Sequence, residues 1–129
     1  MITRFRSIFY PLILATCLTS CEENGPTIKN PFPFLGCYHF KNNTIRVSQN
    51  VLTNVKTGQK TNIERFLVLK NYNAVQVTNN IVIRHIDDSV SMGSSKSGYF
   101  YSFDDYHQPL SILIPDDTGE IQRLEKARC

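Results

Sequence analysis

The sequence predicts an all-β domain: a small antiparallel meander of about eight strands that closes into a barrel or sandwich. Three observations carry this expectation. From residue 35 to the C-terminus, short runs rich in β-branched and aromatic residues recur; Asn-rich or Gly-containing turn signals separate them every 8 to 12 residues; no convincing amphipathic helix interrupts them. With 129 residues, 41% hydrophobic and 19% charged, the chain has material for one such domain, which excludes a multidomain enzyme or a polytopic membrane protein.

The elements follow in order. Gly36 to Phe40 and Thr44 to Ser48 flank Asn42-Asn43, residue types that tolerate the positive φ of a tight hairpin. Val51 to Val55 runs into Thr57-Gly58. Ile63 to Leu69 (IERFLVL) turns at Asn71-Tyr72-Asn73 into Ala74 to Thr78 (AVQVT), and Asn79-Asn80 turns the chain again into Ile81 to Ile86 (IVIRHI). Val90 to Met92, Tyr99 to Phe103 and Leu110 to Ile114 continue the pattern, and Pro115-Asp116-Asp117-Thr118-Gly119 supplies a turn. The last segment, Ile121 to Ala127, spaces Ile121 and Leu124 three apart, so helix stays open beside the expected strand. Closing so many antiparallel strands removes exposed edges, which favours a barrel over an open sheet.

The N-terminus has a different character. Arg4 and Arg6 precede an apolar stretch from Ile8 to Leu18, with small polar residues after it, the layout of a secretory signal. These eleven residues are too few to span a hydrocarbon core that needs roughly 20, and Pro11 interrupts them. The stretch ends in Leu18-Thr19-Ser20-Cys21, which resembles the lipobox of bacterial lipoproteins. The resemblance covers the first two dozen residues. It implies that residues 1–20 are a lipoprotein signal peptide and that Cys21 becomes the new N-terminus, with a diacylglyceryl thioether and an acylated amine. Two or three acyl chains hold a protein durably where one holds marginally. In enteric lipoproteins a residue other than Asp after the lipidated cysteine directs the protein to the outer membrane, so Glu22 implies that membrane, facing the periplasm. The alternative is an ordinary Cys21, with the leader cut nearby by the general peptidase or left uncut.

Given that processing, Cys17 leaves with the signal and Cys21 is committed to lipid, so Cys37 and Cys129 remain as a pair in an exported protein, where disulfides persist. A bond between them closes a loop of about 93 residues, for which the chain-entropy model gives roughly 4 to 5 kcal/mol. The competing reading leaves Cys129 as a free or intermolecular thiol. Cys37 and His39 form a C-x-H pair, but without C-x-x-C or H-x-x-x-H the four-ligand spacing of a zinc site is missing, and no metal or cofactor is expected. Residues 21–34 hold Pro26, Pro31 and Pro33 and read as a flexible or partly stiff linker; in polyproline geometry a dozen residues reach up to roughly 40 Å. The domain proper is 35–129.

Charge narrows the partners. Without Arg4 and Arg6 the chain keeps 12 Lys and Arg against 11 Asp and Glu, scattered with no run of three, which is no footprint for nucleic acid. Enzyme motifs fail on inspection. Gly93-Ser94-Ser95-Lys96-Ser97-Gly98 is neither G-x-S-x-G nor a P-loop, and Lys56-Thr57-Gly58 and Lys96-Ser97-Gly98 match K-[ST]-G with no S-x-x-K to go with them. Asp104-Asp105-Tyr106-His107 crowds carboxylates and imidazole as acid–base or metal chemistry would, yet those types equally make a solvated turn. His85 falls on the face of Ile81 and Ile83 and is expected in the core or a cavity.

The stretch from Ser94 to Pro109 carries five of the chain's fourteen aromatics, Tyr99, Phe100, Tyr101, Phe103 and Tyr106. They fill the barrel core or form an amphipathic contact patch. Ser97-Gly98-Tyr99-Phe100-Tyr101 resembles the S-G-x-x-Y element of the membrane-bound inhibitors of c-type lysozyme, small disulfide-tied β-barrel lipoproteins in which this loop enters the lysozyme cleft. That resemblance carries over to Ser97 and Tyr101 alone, because the lysine-bearing motif that follows in the family is absent here. The expectation is therefore a non-enzymatic, membrane-anchored binding module with an envelope protein as its partner. Candidate binding residues are Ser97, Tyr99, Tyr101, Tyr106 and His107; the alternatives are a periplasmic lysozyme inhibitor and a barrel that holds a small ligand.

Overall fold

A computed structural model describes residues 25–129. A 3₁₀ turn at Phe32–Phe34 leads into ten strands: β1 (Gly36–Phe40), β2 (Asn43–Val47), β3 (Val51–Asn54), β4 (Lys60–Leu69), β5 (Tyr72–Val77), β6 (Ile81–Arg84), β7 (Ser89–Met92), β8 (Tyr99–Asp104), β9 (Ser111–Pro115) and β10 (Ile121–Ala127). Eight of them form a closed antiparallel barrel in the order β9-β10-β1-β2-β3-β4-β5-β8, with β8 returning to β9. The expected all-β barrel is therefore the fold, and residues 121–127 are a strand.

Alternation explains the core. Inward positions are Tyr38 and Phe40, Ile45 and Val47, Val75 and Val77, Tyr101 and Phe103, Ile112 and Ile114, all buried, while their chain neighbours face out or pack at the wall. Phe103 sits among aromatics, with ring centres 4.5 Å from Phe34, 6.1 Å from Tyr38 and 6.4 Å from Phe66. Tyr38 is fully buried, donates its hydroxyl to the Phe34 carbonyl at 2.7 Å, and has its phenol pKa raised by burial. Only Leu124 of β10 is buried; its inward neighbours Gln122 and Lys126 lie at the two mouths and bond Asp116 and Pro33, which is why this strand lacked a clear apolar period.

The meander breaks once. β6 and β7 pair only with each other and lie across one end of the barrel as a hairpin cap, inserting Ile81, Ile83 and Val90 into the core. Three rim asparagines bind the cap's carbonyls through their side-chain amides: Asn43 to Asp88 at 2.8 Å, Asn54 to Val90 at 2.7 Å and Asn79 to Gly93 at 3.0 Å. Phe34 fills the opposite end.

Local details correct the sequence reading. Phe40 pairs with Asn43, so the positive φ falls on Lys41 (56°), one or two residues earlier than the expected Asn42-Asn43; Leu69 pairs with Tyr72, and Lys70 (50°) opens that turn. β6 ends at Arg84, so alternation does not extend to His85; that side chain is 64% exposed and is no core histidine. The expected linker is docked from Pro26 onward. β3 pairs with β4 only as far as Asn62, leaving the rest of that edge open, and the N-terminal segment occupies it. Val68 donates its amide to the Pro26 carbonyl and Ile28 to the Phe66 carbonyl, each at 2.9 Å, with Thr27 opposite Leu67. Cys37 and Cys129 stand at disulfide distance, Cα atoms 5.2 Å apart, beside the seam where Ala127 pairs with Cys37. Cys21, the lipobox and the signal peptide lie outside the described residues.

Candidate functional site

β8 determines where the candidate residues go. It is six residues long, so Tyr99 and Asp104 stand about 17 Å apart at a rise near 3.4 Å per residue. Ser97 and Tyr99 therefore lie at the capped end, Tyr106 and His107 at the other, and the aromatic stretch is two surfaces instead of one. Tyr101 faces the interior at 6% exposure. Its phenol oxygen accepts the Ile81 amide hydrogen at 2.8 Å, and burial raises its pKa.

At the capped end, β6, the start of β8 and the β9–β10 turn enclose a cleft of about 450 Å³ lined chiefly by apolar surface from Val82, Tyr99, Phe100 and Pro115. Tyr99 belongs to a hydroxyl cluster: Ser97 donates to its phenol oxygen at 3.1 Å and Tyr99 donates to Ser95. These contacts, Ser95 first, lower the Tyr99 pKa below its ordinary value. Asn80 also lines the cleft, but its Oδ1 is buried against Gly93 with no hydrogen-bond partner. A second cleft of about 490 Å³ on the same end is bordered by the charged residues Lys41, Lys56, Asp87 and Asp88, with Lys41 already paired to Asp88 at 3.7 Å.

The β9–β10 turn is organised by Asp116. Its Oδ1 accepts the Thr118 and Glu120 amides at 2.9 and 3.0 Å and the Thr118 hydroxyl at 2.6 Å, while Oδ2 accepts from Gln122 at 3.0 Å. These bonds, that of the Thr118 hydroxyl foremost, hold its carboxyl at about 2. His85, Asp116 and Glu120 place one donor atom each within 4.8 Å of one another, the one such trio among the described residues, but Asp116 spends its oxygens on the turn.

At the other end, Arg123 donates to Asp104 through Nη1 and to Ser111 Oγ at 2.9 Å, and His107 Nδ1 lies 3.0 Å from the same Asp104 oxygen. The guanidinium first, then the imidazole, hold the Asp104 carboxyl at about 2. Ser111 is fully buried and donates its own hydroxyl to the Pro109 carbonyl at 3.1 Å, so this constellation ties β8, β9 and β10 together and presents no free nucleophile. Tyr106, 78% exposed, bonds the Asn71 carbonyl at 3.3 Å.

No protein-family model, no curated protein and no solved structure matches the chain.

Proposed function

We propose that this protein is a small lipid-anchored lipoprotein of the bacterial cell envelope, placed in the outer membrane and facing the periplasm, whose barrel is a non-enzymatic module that binds a protein through its capped end. The lipobox at Leu18 to Cys21 supports the anchor. The observation that carries the binding mode is the filled interior. Tyr38, Phe103, Ile112, Ile114 and Leu124 close the barrel's centre and the β6–β7 hairpin its mouth, which leaves the chemistry of recognition to the outer cleft at Tyr99 and Phe100. A small-ligand barrel would need interior volume at that centre. Of the two residues carried over from the lysozyme inhibitors, Ser97 is exposed and Tyr101 is not.

Two measurements test this. Radioactive palmitate should label the wild type and not Cys21→Ala. A photo-crosslinker at Phe100 in cells should capture a discrete protein, capture should fall when Tyr99→Ala is added, and a crosslinker at Arg46 on the outer wall should not yield it. Equal capture at both positions, or none at Phe100, rejects the capped end as the binding surface.

A further inference from the structure

We infer that the end of the barrel opposite the hairpin cap lies on the lipid surface and inserts Phe32, Tyr72 and Tyr106 among the head groups; this rests on the proposed acylation of Cys21. The docked N-terminal segment decides the orientation. Because Pro26 and Ile28 are bonded to Val68 and Phe66 near the end of β4, the chain leaves the barrel at the end that carries the β4–β5 turn and the β8–β9 loop. Three residues, Glu22, Glu23 and Asn24, separate Gly25 from Cys21, and the four fully extended steps between them span at most about 14 Å. The expected stand-off of a dozen residues is thereby lost, and a lipid on Cys21 brings this end of the barrel down to the membrane.

The surface at that end has the chemistry of an interface. Phe32, Tyr72 and Tyr106 are 74, 45 and 78% exposed, and all three lie on its loops or at the first residue of β5. Tyr72 and Tyr106 line two shallow clefts of about 300 and 340 Å³ on either side of them. Aromatic rings with a polar tip favour the head-group layer, where the ring is desolvated and the hydroxyl stays wet. Lys29, Lys70 and Arg128 are exposed, against Asp105 on the same end and Glu22 and Glu23 in the connection to Cys21, and their long stems let the charge reach phosphate while the methylenes lie along lipid. The capped end is unlike this. Its turns present the acidic pairs Asp87-Asp88 and Asp116-Asp117 beside Lys41, Lys56 and Lys96, and its exposed large apolar side chains, Val55, Ile86, Phe100 and Ile121, include no tyrosine.

The chain contains no Trp, so one introduced Trp reports its own surroundings. Full-length protein carrying Phe32→Trp, Tyr72→Trp, Tyr106→Trp or Ile86→Trp is purified from membranes and reconstituted into phosphatidylcholine vesicles with and without phosphatidylglycerol. Mass spectrometry records acylation of Cys21, and thermal unfolding selects variants that fold as the wild type. In acylated protein, Trp at 32, 72 and 106 should emit at shorter wavelength in vesicles than tryptophan in water and lose emission to lipids brominated near the head group, while Trp at 86 should do neither. Acylated, folded protein with unquenched Trp at both 32 and 106, or with equal quenching at 86, overturns the orientation and leaves the anchor standing. Cys21 found bare removes the anchor and the orientation together.

Discussion

The phenol oxygen of Tyr101 accepts the Ile81 amide hydrogen at 2.8 Å, so a side chain inside the barrel holds the first residue of the hairpin that caps it. Tyr101→Phe keeps the ring and orphans a buried backbone donor. The cost should be about 1 to 3 kcal/mol in urea unfolding, with faster amide exchange along β6 than along β5. A neutral substitution would mean that the hairpin is held by its apolar residues and the rim asparagines alone.

The barrel closes through only three residue pairs between β10 and β1, Glu125 with His39, Lys126 with Tyr38 and Ala127 with Cys37. The Cys37–Cys129 link at this seam spans 92 positions. Replacing both cysteines by serine should lower stability by about 4 to 5 kcal/mol on the chain-entropy model, seen as a lower denaturant midpoint. An unchanged midpoint in oxidised and reduced samples would show that the pair contributes no constraint.

Asp104 and Asp116 both have folded pKa values of about 2, below the ordinary 3.8, through bonds led by Arg123 and Thr118 respectively. A depressed carboxylate binds its proton less readily folded than unfolded, so its contribution is complete above the unfolded value and fades as pH falls toward 2. Melting temperature should therefore be flat above about pH 5 and drop between pH 4 and pH 2. Asp116→Asn should shallow that drop while lowering the plateau, because an amide cannot accept the same set of donors.

Gly25 lies against the backbone of Val68, and a Cβ there would collide with the Val68 carbonyl oxygen. Gly25→Ala should loosen the docked segment: hydrogen exchange at the Ile28 and Val68 amides rises while that of β1 and β9 is unchanged. Protection at Ile28 equal to wild type would show that the segment accommodates the methyl without release.

Most strands were legible because short runs of β-branched residues and turn chemistry agree, as in AVQVT and SILIP, where Asn or Pro stands at the end of the run. The hairpin's excursion was not, since Ile81, Ile83 and Val90 alternate in the same way whether their strand pairs with β5 or lies across the barrel mouth. The asparagines misled for a related reason. Read as turn formers, Asn43 and Asn79 are also side-chain donors to the cap, and Asn54, fully buried, turns the chain with its carbonyl while its amide holds Val90. Thr27 and Ile28 pair through backbone atoms, which leave no trace in residue type. The aromatic stretch gave away a concentration of rings but not their division, because that depends on a strand running through its middle. Pro-Asp-Asp-Thr-Gly reads as a turn from its residue types alone, and it contains both the Asp116 carboxylate and the Thr118 hydroxyl that binds it.

The seam between β10 and β1 joins residues some ninety positions apart and is made by the last strand of the barrel in chain order. Until Glu125 to Ala127 arrive, β1 has an open edge and the ring is an incomplete sheet. The ring therefore cannot lock until that strand has been made, and deletion of β10 would leave a sheet with two edges free to pair with other chains.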